Sequence, residues 1–184
     1  MITFTPRSAA RAALGFVVLC GVLAVAGVAV RAPIAAFSAR VVAELGLVGL
    51  FAAVVAMDPI PGLGFQPALF FGYTGGLPLP SLVFAAWSAS MVASVSVFAV
   101  GRLSRNSARL VSLLERWRIG DWLRDHGARA IAVAAVAPVP FGLATFGAGV
   151  LGVKLRDLLV GASFRGLKIA ATAAAIGLGW GMGA

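Results

Sequence analysis

Long apolar runs that alternate with short basic segments are the main pattern of this chain. A helix needs about 20 apolar residues to cross a bilayer core of about 30 Å, and three runs meet that length, at residues 12–30, 81–101 and 158–180. A secretory signal is the alternative for the first run, but its apolar part exceeds the usual ~7–15 residues. The pattern therefore predicts an all-α integral membrane protein with a retained N-terminal transmembrane helix, which we expect Arg31 and Pro33 to end.

Two further apolar runs are interrupted by paired prolines. Residues 45–57 supply only about 20 Å of helix and lead into Asp58-Pro59-Ile60-Pro61-Gly62, while residues 130–153 are broken at Pro138-Val139-Pro140-Phe141-Gly142. Proline removes a backbone donor and biases the residue before it toward extended geometry. Broken backbone persists at membrane depth only where protein or water satisfies it. We therefore predict re-entrant hairpins over residues 45–76 and 130–153.

The two halves of the chain also carry matching residues at one fixed offset. The matching pairs are Gly76 with Gly152, Leu79 with Leu155, Leu82 with Leu158, and Gly101 with Gly177. Chance matching is the alternative in a chain so rich in small apolar residues. Paired broken segments at corresponding places are typical of transporters with a site near mid-membrane. The pattern predicts an inverted repeat of a re-entrant hairpin followed by a transmembrane helix.

Composition supports a membrane location and argues against nucleic acid as a partner. The chain is 61 % hydrophobic with a mean hydropathy of +1.02 and only 11 % charged residues, whereas soluble domains carry about 25 %. Its 15 Lys and Arg against 6 Asp and Glu lie mostly between the apolar runs, as the positive-inside rule expects. We expect a multi-pass protein of the cytoplasmic membrane with its N-terminus inside.

The predicted organisation has two units. Residues 1–44 form the N-terminal helix and an interfacial segment, and residues 45–184 form the repeat domain. A basic connection over residues 102–129 joins the halves on the cytoplasmic side. Its apolar residues at helical spacing predict an amphipathic surface helix; they are Leu110, Leu113, Leu114 and Trp117, with Trp122 beyond.

The second interrupted run resembles the signature of the DedA family, also called the VTT or SNARE-associated Golgi protein superfamily. The likeness rests on His126-Gly127, on Ala137 to Val150 with its Pro-x-Pro-Phe, and on Asp58 to Gly62. It implies two opposed re-entrant hairpins and the movement of lipids such as undecaprenyl phosphate or phospholipids, in many members driven by proton-motive force through membrane-embedded acids. The chain departs from the family at Thr145-Phe146, where one branch has Asn-Tyr.

Four charged residues within the apolar regions are candidates for transport chemistry. Ionisable groups inside a membrane usually serve function, so we assign Asp58 and Glu44 to proton coupling. The alternatives are a helix N-cap for Asp58 and a headgroup-layer position for Glu44. Arg165 and Lys168 share one helix face at i, i+3 spacing. Either they bind a phosphate headgroup or counter the charge of Asp58, or they snorkel to the interface.

The hairpin turns contribute the remaining candidates. Glycines there either present backbone donors to an anion or permit close packing, and two neutral polar side chains lie nearby. The turn residues are Pro59, Pro61, Gly62, Gln66, Pro138, Pro140, Gly142 and Thr145.

No pattern for catalysis, metal binding or a cofactor occurs. The chain has one cysteine and one histidine, so neither a Cys/His nucleophile pair in the apolar regions nor a metal cluster is expected. The sequence predicts a flippase-like or scramblase-like transporter of a phosphate-bearing lipid, with anionic headgroups as partners. A proton-coupled transporter of small solutes or ions and a non-transporting assembly protein are the alternatives. The oligomeric state stays open, a homo-oligomer included.

Overall fold

The computed structural model describes residues 6–60, 63–107, 110, 112, 119–137 and 140–181, which form helices joined by turns and contain no strand. Three helical stretches, over residues 31–57, 79–103 and 155–179, are long and apolar enough to cross a membrane. The predicted all-α class is therefore confirmed for the described residues. The second stretch contains the span expected at 81–101, and the third contains all but the last residue of the span expected at 158–180. The first stretch lies directly after the span expected at 12–30.

Helix α1 runs from Pro6 to Met57 and is bent at Gly46, whose φ of 53° and ψ of −146° are not helical. The expected end of the first helix at Arg31 and Pro33 is wrong, because α1 continues through Pro33. One proline within a long apolar helix removes a single hydrogen bond, which neighbouring groups can compensate in membrane helices. The φ of Gly46 lies in the left-handed region that glycine tolerates best, and this is where the axis breaks.

The first interrupted run folds back on itself as a helix, a turn and a second helix. After Met57 the chain turns and enters α2, Gln66–Thr74. Pro67 lies in the first turn of α2, where proline is favoured. The C-terminal end of α2 lies beside α1, where the Thr74 hydroxyl donates a hydrogen bond of 2.8 Å to the Ser38 hydroxyl. Helix α3 follows over Leu79–Leu103.

The second interrupted run has the same plan. Helix α4, Ile119–His126, precedes α5, Ala128–Val136, and α6 follows over Phe141–Val150. The break between α5 and α6 lies at the paired prolines, as predicted. Most of the expected amphipathic helix, Leu113, Leu114 and Trp117 included, lies outside the described residues.

The last span is two helices rather than one. Helix α7 covers Leu155–Ser163 and α8 covers Arg165–Gly181, separated at Phe164. The carbonyl of Ser163 accepts a hydrogen bond of 3.2 Å from the Trp87 indole nitrogen, and the Leu167 amide bonds the Phe164 carbonyl instead of continuing the α-helical pattern. The third span therefore breaks immediately before Arg165.

The turns that follow α2 and α6 make identical hydrogen bonds at an offset of 76 residues. The Leu77 amide bonds the Gly72 carbonyl and the Val153 amide bonds the Ala148 carbonyl, both at 3.0 Å. Gly76 and Gly152 both have positive φ, 94° and 75°. The same offset relates the span over residues 79–103 to the span over residues 155–179.

Two hydrophobic cores hold these elements together. The first core contains residues of α1, α2 and α3, such as Leu50 and Leu82, and is completed by Ile169 and Ala173 of α8. The second contains residues of α4 to α7 and is completed by Phe98 of α3. Each half therefore receives part of its core from the end of the other half's span.

Candidate functional site

A buried ion pair joins the two halves of the chain. Asp58 follows the last residue of α1, and its Oδ1 accepts a hydrogen bond from Nη2 of Arg165, the first residue of α8. Asp58 is 7 % exposed and Arg165 is 6 % exposed. Removing two charges from water is costly unless they pair closely and hydrogen bonds satisfy their remaining atoms, so this pair holds the two side chains to each other.

Ser90 of α3 completes the surroundings of the carboxylate. Its hydroxyl donates to Asp58 Oδ2 at 2.6 Å, so each carboxylate oxygen has one donor. Ser90 belongs to a buried small-residue face of α3 with Ala86 and Ser94. Small side chains at this spacing allow helices to approach closely, and this approach brings the Asp58 turn within reach of Ser90.

Two phenylalanine rings flank the Arg165 guanidinium. Its Cζ lies 4.4 Å from the Phe141 ring centroid and 5.3 Å from the Phe65 ring centroid, both within the ~6 Å range of cation–π attraction. Phe65 precedes the first residue of α2, and Phe141 begins α6. Both rings are buried, so the guanidinium is enclosed by the starts of two helices that follow the two interrupted turns.

Part of the Arg165 guanidinium has no hydrogen-bond acceptor. Nε and Nη1 are buried and have no partner in the described part of the chain. An unsatisfied buried donor next to a charge costs free energy, about 1–3 kcal/mol or more. Two donor nitrogens of the buried Arg165 side chain therefore remain available for an acceptor.

Lys168 lies one helical turn after Arg165 but has a different partner. Its Nζ donates to the Ala137 carbonyl at 2.9 Å, at the end of α5. A cation near a helix C-terminus is favourable because the last carbonyls carry partial negative charge. Arg165 is buried and its partner is the Asp58 carboxylate. The half-buried Lys168 instead binds the second interrupted segment.

Other predicted site residues lie away from the ion pair or within its walls. Glu44 is exposed in α1 at the opposite end of the helical arm that leads to Asp58, so the structure does not bring the two acids together. Gln66 is exposed at the start of α2. Thr145 is fully buried, and its hydroxyl donates to carbonyls of its own helix, at 3.0 Å to Gly142 and 3.3 Å to Phe141.

Among the turn residues that the structure describes, Gly142 packs closely against Pro59. A Cβ on Gly142 would lie 2.9 Å from the Pro59 carbonyl oxygen, so this glycine lets the two interrupted segments touch. Pro140 is exposed immediately before α6. The remaining predicted turn residues, Pro61, Gly62 and Pro138, lie outside the described residues.

Asp58 does not begin a helix, contrary to the N-cap alternative. Its amide bonds the Val54 carbonyl at 2.9 Å, and the Ile60 amide bonds the Met57 carbonyl at 3.0 Å, a pattern that ends α1. The carboxylate is therefore directed to Ser90 and Arg165. Among the described residues no three histidine, cysteine, aspartate or glutamate side chains form a group that could hold a metal ion.

Sequence reasoning missed Phe65, Phe141 and the role of Ser90. The offset of 76 residues relates Phe65 to Phe141, so the repeat itself contained the signal for the aromatic pair. Comparison with protein-family models, curated proteins and solved structures finds no match to this chain.

Proposed function

We propose that the chain is a membrane transporter of the DedA type that moves a phosphate-bearing lipid across the cytoplasmic membrane. The observation that carries the proposal is the buried Asp58–Arg165 pair at the junction of the two interrupted segments. Buried charges in a membrane protein are expensive and mark transport pathways by default. The pair lies where the two hydrophobic cores meet, which is a suitable place for a site that opens alternately to each side.

The lengths of the helices support two re-entrant hairpins. The bend at Gly46 divides the stretch over residues 31–57, and the arm after the bend, residues 47–57, contains 11 residues. Helices α2, α5 and α6 contain 9 or 10 residues, so each of the four is about 14–17 Å long. This is about half the thickness of the hydrocarbon core. In our proposal each pair of short helices enters the membrane, turns near its middle and leaves on the same side.

The matched contacts support an inverted repeat. The exits of α2 and α6 make the same hydrogen bonds at the offset of 76 residues, which also relates Phe65 to Phe141. Trp87 and Ser163 are related by this offset and bond each other. Equivalent positions meet when two copies of a motif are related by a two-fold axis, as in transporters with inverted repeats.

Proton uptake and phosphate binding are coupled through Arg165 in this proposal. Protonation neutralises Asp58 and weakens its attraction for Arg165. The guanidinium is then available to a lipid phosphate, and Nε and Nη1 already lack acceptors. Arginine suits this exchange because its planar fork binds carboxylate and phosphate in the same way. Lys168 adds a second positive charge close by.

Charge placement supports the proposed orientation. The basic connection over residues 102–129 and the Lys154-Leu155-Arg156 segment would lie in the cytoplasm together with the N-terminus. There they would also attract anionic lipid headgroups.

The test is lipid translocation in proteoliposomes with and without a proton gradient. Labelled undecaprenyl phosphate and a labelled phospholipid are compared for the wild type, Asp58→Asn and Arg165→Ala. Asp157→Asn serves as the matched control, because Asp157 lies in α7 away from the ion pair. We expect translocation to be lost in both site variants and kept in the control. Absence of movement of either lipid under any gradient, with correctly folded protein, would reject a lipid transporter and leave solute transport or a scaffold.

A further inference from the structure

We infer that Asp58, Ser90, Phe65 and Phe141 form a binding site for an organic ammonium group, and that Arg165 is the chain's own occupant of this site. We name the four residues the cation cage. The inference rests on the proposed function only where the ligand is a lipid. It concerns a cationic group, whereas the proposed function concerns phosphate.

The cation cage has the chemistry of a receptor for an organic cation. Asp58 supplies a buried negative charge, held by the Ser90 hydroxyl at 2.6 Å. Phe65 and Phe141 present rings at 5.3 Å and 4.4 Å from the centre of the guanidinium. Aromatic rings around a carboxylate favour alkylated ammonium or guanidinium over a hydrated inorganic ion, because the rings attract charge but offer no lone pairs.

The walls and the occupant of the cage come from different elements. Phe65 belongs to the first hydrophobic core and Phe141 to the second, and Ser90 lies on α3. Arg165 alone comes from α8, directly after the break at Phe164. The side chain of Arg165 can therefore leave without a change in the backbone of the four wall residues.

The site suits one ligand chemistry from two sources. A free alkylamine could take the place of the guanidinium between the rings. An ammonium-bearing phospholipid headgroup could do the same and present its phosphate to the displaced Arg165. In both cases the cage recognises the ammonium group, and only the second source needs a lipid transporter.

The first test is chemical rescue of Arg165→Ala in the full chain. Thermal unfolding of the purified protein is followed by helical circular dichroism in methylguanidinium or ethylammonium chloride, with sodium chloride at equal concentration as reference. We expect both organic cations to raise the unfolding midpoint of Arg165→Ala saturably, with little effect on the wild type. A response equal to that in sodium chloride overturns the inference.

Two control variants assign the response to the cage. Arg165→Ala/Asp58→Asn lacks the carboxylate, and we expect it to lose the response. Arg165→Ala/Phe65→Leu/Phe141→Leu lacks the rings, and we expect it to need about fivefold more cation for half the effect. An unchanged response in both controls contradicts the proposed walls.

The second test keeps the ion pair and so does not depend on the folding of Arg165→Ala. Phe65→Leu/Phe141→Leu is compared in proteoliposomes with the wild type and with Phe98→Leu, a buried ring outside the cage. Phosphoethanolamine and phosphoglycerol lipids with identical acyl chains are the substrates. We expect the wild type and Phe98→Leu to move the ammonium-bearing lipid about fivefold faster than the phosphoglycerol lipid, and the cage variant to lose this ratio.

The outcomes separate this inference from the proposed function. If the ratio of the translocation rates of the two lipids is the same in the wild type and in the cage variant, the ammonium group of a lipid is not the ligand. Movement of neither lipid rejects the proposed function, and the cation response of Arg165→Ala then still decides the cage. Saturable uptake of labelled ethylammonium without lipid movement, abolished by Asp58→Asn, identifies a free amine as the ligand.

Discussion

Asp58 and Arg165 are separated by 107 residues in the sequence and share a buried ion pair. Asp58 directly follows the helical arm of the first half, and Arg165 begins the last helix of the second. The pair therefore links the halves at the point where their cores meet. Four predictions test this link, the packing around it and the proposed topology.

The first prediction concerns the free energy of unfolding. Arg165→Ala leaves the Asp58 charge buried and unpaired, and we expect a loss of about 3–5 kcal/mol. Asp58→Asn/Arg165→Met removes both charges and should be more stable than Arg165→Ala, because no uncompensated charge remains. The measurement is unfolding of the purified variants in detergent with increasing denaturant. Asp58→Asn and Arg165→Met are also measured singly. If their losses of unfolding free energy simply add up to that of Asp58→Asn/Arg165→Met, a direct interaction between the two side chains is contradicted.

The second prediction concerns the contact between α3 and α6. A Cβ on Gly101 would lie 2.3 Å from the Phe146 carbonyl oxygen, and a Cβ on Gly149 would lie 2.2 Å from that of Phe98. Gly101→Ala and Gly149→Ala must therefore push backbone apart, and we expect each to lose about 1–3 kcal/mol.

Gly179→Ala is the matched control for these two variants. A Cβ there meets no atom within 4 Å, so the substitution should be neutral or stabilising because alanine favours the helix. The measurement is the thermal unfolding midpoint of each of the three variants. A Gly101→Ala midpoint no lower than that of Gly179→Ala would show that the helices do not depend on this approach.

The third prediction tests the inverted arrangement. Pro78 and Lys154 are equivalent at the offset of 76 residues, precede α3 and α7 respectively, and are both exposed. In a Cys20→Ala background, an impermeant maleimide should label Pro78→Cys in intact cells but label Lys154→Cys only after permeabilisation. Ser104→Cys, at the start of the basic connection, is the control that we expect to be labelled from the same side as Lys154→Cys. Labelling of both equivalent positions from one side would exclude an inverted repeat.

The fourth prediction concerns Lys168. Its bond to the Ala137 carbonyl holds α8 against the end of α5. Lys168→Met keeps the length of the side chain but removes the charge, and we expect a loss of about 0.3–1 kcal/mol. Lys168→Arg should retain most of the stability because it keeps a donor there. The measurement is the thermal unfolding midpoint of each purified variant. A midpoint for Lys168→Arg as low as that for Lys168→Met would show that the hydrogen bond to the Ala137 carbonyl contributes little to stability.

Much of the secondary structure followed from local sequence. The paired prolines placed the ends of α1 and α5 correctly, because proline removes a donor and constrains the residue before it. The breaks at Gly46 and Phe164 were not predicted. Glycine tolerates helical as well as left-handed geometry, and phenylalanine has no intrinsic tendency to end a helix, so neither break could be predicted from its residue type.

The sequence by itself determined which residues were candidates and the tertiary structure decided which of them meet. An acid and two cations in apolar runs are conspicuous because burying charge is expensive, so Asp58, Arg165 and Lys168 could be found without coordinates. Three features could be found only from the coordinates. They are the separation of Glu44 from Asp58, the different partners of Arg165 and Lys168, and the enclosure of the ion pair by Ser90, Phe65 and Phe141. Helical periodicity gives the face of one helix, whereas contacts between distant segments depend on how several helices pack together.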